Sequence, residues 1–171
     1  MRGKILLAAL TVIVGSVGFA PRLAHARGDL VTMRETFLPG TIVVRTSERR
    51  LYYVIGSGQA IRYPVGVGRA GMQWAGTSFI DGKYIRPAWV APVSIRGDYK
   101  SGGRAIPGGS PANPMGVAAM TLAGGEYAIH GTNAPGSIGG FVSHGCIRMF
   151  NEDITDLYGR VSIGTRVVVT R

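Results

Sequence analysis

The sequence predicts a mostly β domain with one or two short helices, and three observations carry that prediction. Apolar residues fall in short runs of β-branched and aromatic types, as in TIVVRT (41–46), RLYYVI (50–55) and TRVVVT (165–170). Such runs fit a pleated, half-buried surface. They are separated by turn-forming groups such as Gly56-Ser57-Gly58 and Asp81-Gly82, and helix signals are few.

Taken in order, residues 1–26 carry Arg2 and Lys4, an uncharged run from Ile5 to Ala20, and Ala24-His25-Ala26. This is the three-part layout of a secretory signal peptide, with cleavage expected after Ala26. The apolar run has sixteen residues, short of the roughly 20 that a spanning helix needs, so membrane association is expected only through an uncleaved leader. Residues 27–40 lack periodicity and end in Pro39-Gly40, which reads as a lead-in or linker. The remaining 41–171 form one domain, because the 145 residues after the leader suffice for a single core.

Within that domain, strands are expected at 41–46, 50–55, 60–67, 77–80, 83–90, 117–122, 126–130 and 165–170. The segment 98–116 holds five glycines and three prolines in nineteen residues, which defeats helix and ladder alike and marks an irregular loop of the kind that covers binding sites. Asn151 to Tyr158 is the one good helix: Asn151 is a candidate N-cap, and Glu152 and Asp153 suit the first turn. Ile154, Leu157 and Tyr158 make an apolar stripe before a possible stop at Gly159.

With the leader removed, sixteen Lys and Arg stand against nine Asp and Glu, a net charge of +7. That excess favours anionic partners, cell-wall polymer among them. The basic residues are scattered, and no nucleic-acid motif is present, so no nucleic-acid partner is expected.

The chemistry is concentrated in HGTNAPGSIGGFVSHGCIR (130–148), which contains the only cysteine, Cys146, and both histidines outside the leader, His130 and His144. A thiol without a disulfide partner in an exported chain, among Ser143, His144, Gly145 and Arg148, reads as an active site rather than core. A thiol near pKa 8.5 needs an imidazole to take its proton, and spacing alone leaves His130 and His144 both open. Zinc is the rival reading, but His-x-Cys with one remote His lacks the usual ligand spacing, and no metal is expected. Ser143 lacks the Gly-x-Ser-x-Gly frame of a nucleophilic serine. The Ser143-His144-Gly145-Cys146 turn can aim backbone N–H groups at an oxyanion, and Arg148 carries a guanidinium suited to a carboxylate. Arg148, Ser143 and Asn133 are the substrate-binding candidates.

This segment resembles the signature of the L,D-transpeptidase catalytic domain, in which a His precedes a Ser/Thr-His-Gly-Cys stretch. The likeness extends to RLYYV (50–54), YPVGVGRAG (63–71), Trp89 to Pro92 and PANPMG (111–116), about residues 41–171 in all. The resemblance implies a β-sandwich-like domain and a cysteine acyl-enzyme acting on peptidoglycan tetrapeptide stems, with Cys146 as nucleophile and His130 as general base. It implies that the Gly131 carbonyl orients the base and that amides around His144, Gly145 and Cys146 form the oxyanion hole. The implied reaction releases D-alanine and passes the thioester to an amine of another stem, with an envelope protein as a further acceptor class, in the periplasm or cell envelope and without a cofactor. The same fold accommodates an L,D-carboxypeptidase or cross-link hydrolase, and a non-catalytic wall-binding domain is the alternative outside enzymology. In one place the chain departs from many members: it has Gln73-Trp74-Ala75-Gly76 where they carry Thr-Pro-x-Gly, so altered loop packing or substrate contact is expected there.

Overall fold

In the computed structural model, which describes residues 28–171, the first strand is β1 (Asp29–Thr32). The leader-like residues 1–26 lie outside the described residues. β1 falls inside the segment read as a lead-in: it pairs antiparallel with β4, Asp29 opposite Arg62 and Thr32 opposite Gln59. It is an exposed edge strand, so no buried face imposes the alternation that would have marked it in the sequence.

The next strands are β2 (Ile42–Arg45), β3 (Arg50–Gly56), β4 (Gln59–Pro64) and the two-residue β5 (Val67–Gly68). β2, β3 and β4 are successive antiparallel neighbours. The 60–67 run is interrupted after Pro64, whose missing N–H cannot continue a ladder. β2 is buried on both faces, which explains its unbroken Ile-Val-Val. Ile42 and Val44 face the main core, whereas Val43 joins Met33, Tyr52, Val54 and Ala60 in a second, smaller one.

β6 (Gly76–Ile85) corrects the sequence reading of two strands separated by a turn. Asp81-Gly82 is no hairpin loop; the register slips between Ile80 and Gly82, a bulge that bends one long strand. Its first half pairs with β11 (Arg166–Thr170) and its second with β7 (Ala118–Leu122). Beyond Ile85 the chain leaves the sheet, and the expected strand at 83–90 survives past that point only as an isolated bridge between Trp89 and Ile106.

β8 (Ala128–His130), β9 (Phe141–Ser143) and β10 (Ile147–Arg148) complete the strands. The nine-stranded sheet runs β1-β4-β3-β2-β11-β6-β7-β8-β10, with β5 and β9 paired apart from it. β6, bulged at Ile80–Gly82, is the long strand that belongs to both halves of the sheet. Ile42, Leu51 and Tyr63 from the first half share a core with Met120, Ile129 and Ile147 from the second, the sandwich-like arrangement expected.

The helix α1 (Asn151–Arg160) packs on β7 and β8. Ile154 and Leu157 are fully buried in the main core, each contributing about 1.5–3 kcal/mol. The expected cap is corrected: Phe150 occupies the N-cap position without a side-chain bond, and Asn151 is the first helical residue. Its amide is used elsewhere, accepting from Thr132 N at 3.0 Å and donating to Thr132 O at 3.0 Å. Gly159 lies within the helix rather than ending it. No helix among the described residues is long and apolar enough to cross a membrane.

Candidate active site

Cys146 lies directly before β10, which pairs parallel to β8 with Ile147 opposite Ile129 and Arg148 opposite His130. That register sets Cys146 against Ala128, and His130, two residues further along β8, projects from the same face as Ala128. The Cys146 thiol donates to Glu126 O at 3.9 Å, and the Gly- and Pro-rich excursion, invisible as secondary structure in the sequence, returns Cys146 to the strand that carries His130. Both line one cavity of about 650 Å³, within the usual range for a small-molecule or peptide site.

His130 is only 2% exposed. Its Nδ1 lies 2.6 Å from the Gly131 carbonyl, and since a carbonyl only accepts, Nδ1 carries the proton and the neutral ring presents a basic Nε2. Burial, reinforced by the Arg148 charge, pulls His130 down to about 4, against the opposing pull of the Gly131 and Pro114 carbonyls. Burial likewise pushes the Cys146 thiol up, although the Ala128 N–H and Arg148 favour the thiolate. The resting pair at neutral pH is thus thiol and neutral imidazole, not an ion pair.

His144 lines the same cavity but is engaged by Asp98. Its Nε2 donates to Asp98 Oδ2 at 2.6 Å, and Arg69 Nη2 reaches the same oxygen at 3.1 Å. These two bonds hold the Asp98 carboxyl below the usual carboxylate range. Asp98 ends a 3-10 turn at Val93–Asp98, so this contact ties the cavity roof to the Cys146 turn. Trp89 and Tyr99 meet edge to face with centroids 4.6 Å apart, and Tyr99 in turn leans on the His144 ring. The 98–116 loop contributes Tyr99, Pro114 and Met115 to the cavity wall. Asn113, 1% exposed, fastens it by donating to Pro87 O at 2.9 Å and Pro107 O at 3.1 Å while accepting from Met115 N at 2.9 Å.

The turn itself is closed by Ser143. Its hydroxyl donates to Cys146 O at 2.6 Å and accepts from Gly145 N at 3.1 Å, so both its proton and a lone pair are committed within the turn. The Gly145 amide is therefore spent on Ser143 rather than turned to the cavity. Gly145 has φ +121, and a Cβ there would stand 2.9 Å from Tyr127 Cδ1 and closer still to its neighbour, which only glycine avoids. Trp74 Nε1 donates to the Gly145 carbonyl at 3.0 Å and stacks on Tyr127 at 5.1 Å with 5° between the planes.

Arg148 lines the cavity, and its buried Nε has no hydrogen-bond partner. Asn133 is not brought to the site: its Nδ2 donates to Pro111 O at 3.1 Å, and it lies outside the cavity wall. Among the described residues, no three His, Cys, Asp or Glu are grouped to hold a metal ion. Sequence reasoning missed Asp98, Asn113, Tyr127 and the role of Trp74 in the turn. Only Trp74 left a signal, as the departure at 73–76.

The arrangement can perform acyl transfer: a thiol, a base held in one tautomer, and a cavity lined by both a cation, Arg148, and a carboxylate, Glu126. The family model for the L,D-transpeptidase catalytic domain matches residues 39–169. The chain is 40% identical over 146 residues to "Probable L,D-transpeptidase YbiS" of Escherichia coli K12, covering 78% of this chain and 47% of that protein. It is 39% identical over 159 residues to "Probable L,D-transpeptidase ErfK/SrfK" of Salmonella typhimurium, covering 86% and 50%. The chain thus spans about half the length of these curated relatives. Its fold resembles the solved L,D-transpeptidase from Mycobacterium smegmatis with a TM-score of 0.60 at 20% identity, over 77% of this chain and 58% of that one. By the extent of the family match and the identity to these relatives, the chain belongs to the L,D-transpeptidase catalytic domain family.

Proposed function

We propose that the protein is an exported cysteine L,D-transpeptidase acting on peptidoglycan tetrapeptide stems in the bacterial envelope. The observation that carries this reading is that Cys146 and His130 line one cavity, with His130 Nδ1–H held by the Gly131 carbonyl 2.6 Å away. The leader-like residues 1–26 and the basic balance of the rest support an envelope location and an anionic wall substrate.

In this mechanism His130 Nε2 takes the thiol proton as Cys146 Sγ attacks the amide carbonyl between the third stem residue and the terminal D-alanine. The new C–S bond places negative charge on the former carbonyl oxygen, where the Cys146 N–H stabilises it. As the oxyanion collapses the C–N bond breaks, and the His130 imidazolium returns its proton to the departing D-alanine amine. An acceptor amine, from a second stem or an envelope protein, then attacks the thioester with His130 again as base, and the thiol is regenerated. Arg148, whose buried Nε lacks an internal partner, is suited to a stem-peptide carboxylate.

The test is to incubate the native chain and Cys146→Ala with a disaccharide-tetrapeptide and an amine acceptor, following intact-protein and product masses. A thioester adduct and joined stems from native protein alone are expected. Equal product from Cys146→Ala, or no adduct on the native chain, sinks the reading; free D-alanine with trimmed stems assigns water as the acceptor and makes the enzyme a carboxypeptidase.

A further inference from the structure

We infer that Trp74 is a positioning residue for acyl transfer: its indole N–H fixes the Gly145–Cys146 peptide so that the Cys146 N–H faces the cavity. The inference rests on the thiol chemistry proposed above for this site. Trp74 belongs to the loop between β5 and β6, 71 residues from its acceptor, yet its Nε1 donates to the Gly145 carbonyl at 3.0 Å. That carbonyl and the Cys146 N–H belong to one planar trans peptide, so they point in opposite directions. Cys146, Ser143 and Tyr127 form part of the cavity wall, whereas Trp74 stands outside it. A carbonyl turned outward to Trp74 therefore turns the Cys146 N–H inward, toward the place where a carbonyl attacked by Sγ would develop its charge.

The surrounding contacts leave this peptide one remaining freedom, and Trp74 removes it. Ser143 Oγ already holds the Gly145 N–H at 3.1 Å and the Cys146 carbonyl at 2.6 Å, which fixes the peptides on either side. Gly145 itself, at φ +121, has no side chain to resist rotation of the peptide that follows. The indole is in turn kept in place by its near-parallel stack on Tyr127, whose ring fills the space a Gly145 side chain would take. Because an oxyanion donor contributes only when aimed before the charge appears, loss of the indole N–H should slow acylation without weakening the initial encounter. A merely structural Trp74 predicts the reverse, a loss of fold stability and of encounter affinity with the chemical step intact.

The test uses the full chain in two variants. Trp74→Phe keeps a ring on Tyr127 without the N–H, and replacement of Trp74 by β-(3-benzothienyl)alanine exchanges the N–H for sulfur at unchanged ring size, guarding against a packing defect. Acylation by a carbapenem is followed by intact-protein mass, and the order parameter of the Cys146 amide by nitrogen-15 relaxation. Both variants are expected to lose about tenfold or more of the maximal acylation rate, with the half-saturating carbapenem concentration within about twofold of native. The Cys146 order parameter is expected to fall from about 0.85 toward 0.6. Acylation within about twofold of native in both variants, or a loss confined to half-saturation, overturns the inference. If the native chain takes no carbapenem, the thiol-chemistry reading fails by itself; the order parameter then decides for Trp74, and an unchanged value overturns its positioning role.

Discussion

Lowering the pH from 7 to 4 isolates the energetic signature of His130. Its imidazole is buried and held at about 4, whereas in an unfolded chain it takes up a proton near its ordinary 6.5. Between those values the unfolded state binds more protons, so unfolding becomes easier as the pH falls. The contribution is fully present above about pH 6.5 and lost on the way to pH 4, and at about 1.4 kcal/mol per tenfold it amounts to about 3 kcal/mol. Asp153 works in the opposite sense. Burial, with Glu152 and Asp156 nearby, raises it from 3.8 to about 6, so its contribution fades as pH rises through that interval. Comparing native protein with His130→Gln cancels Asp153 and the other carboxylates. Urea unfolding of both chains at pH 7, 6, 5 and 4 should show their stability difference shifting by about 3 kcal/mol against the native chain. A difference constant to within about 0.5 kcal/mol across that range would refute the claim that His130 is held neutral by burial.

The same neutral imidazole moves the acid limb of activity: carbapenem acylation of the native chain should persist at pH 5 and decline toward pH 4, and a half-maximal rate near 6.5 would contradict it. Gly145→Ala combines a left-handed φ, costing about 1–3 kcal/mol, with displacement of Tyr127 from Trp74, about 0.5–1.5 kcal/mol. Calorimetry should find its unfolding midpoint lower by about 5–15 °C, and a change under about 2 °C would show that the turn adapts. Asn113→Ala removes the buried amide that ties the Pro107 carbonyl of the loop to Pro87, at about 1–3 kcal/mol. Amide exchange should accelerate at Trp89 and Ile106, whose bridge depends on that loop, and unaltered exchange there would count against Asn113 as its fastener.

The strands that were legible are those whose own sequence states a buried face: β2, β3, β7 and β11 carry β-branched or apolar residues bounded by turn chemistry. β9 and β10 were not, because they are two or three residues long and exist only through main-chain partners far away, Val67 and Gly68 for one, Ile129 and His130 for the other. Asp81-Gly82 misled because a bulge and a hairpin turn draw on the same backbone freedom, and only the partners across the ladder distinguish them. At the site, Cys146 and His130 stood out as rare residue types gathered in one segment. Asp98 and Trp74 did not, since the bonds that give them meaning span 46 and 71 residues. Asn133 looked eligible by proximity in sequence, yet its amide faces Pro111.

The placement of β11 in mid-sheet, parallel to β2 on one side and antiparallel to β6 on the other, makes it a keystone between strands drawn from two distant parts of the chain. Until Arg166–Thr170 takes that place, the facing edges of β2 and β6 stay unpaired and open to misassociation. Arg166–Thr170 thus shares the joining of the outer hairpins to the thiol-bearing strands with a second main-chain seam, where Gly66 pairs with Arg148 and β5 with β9.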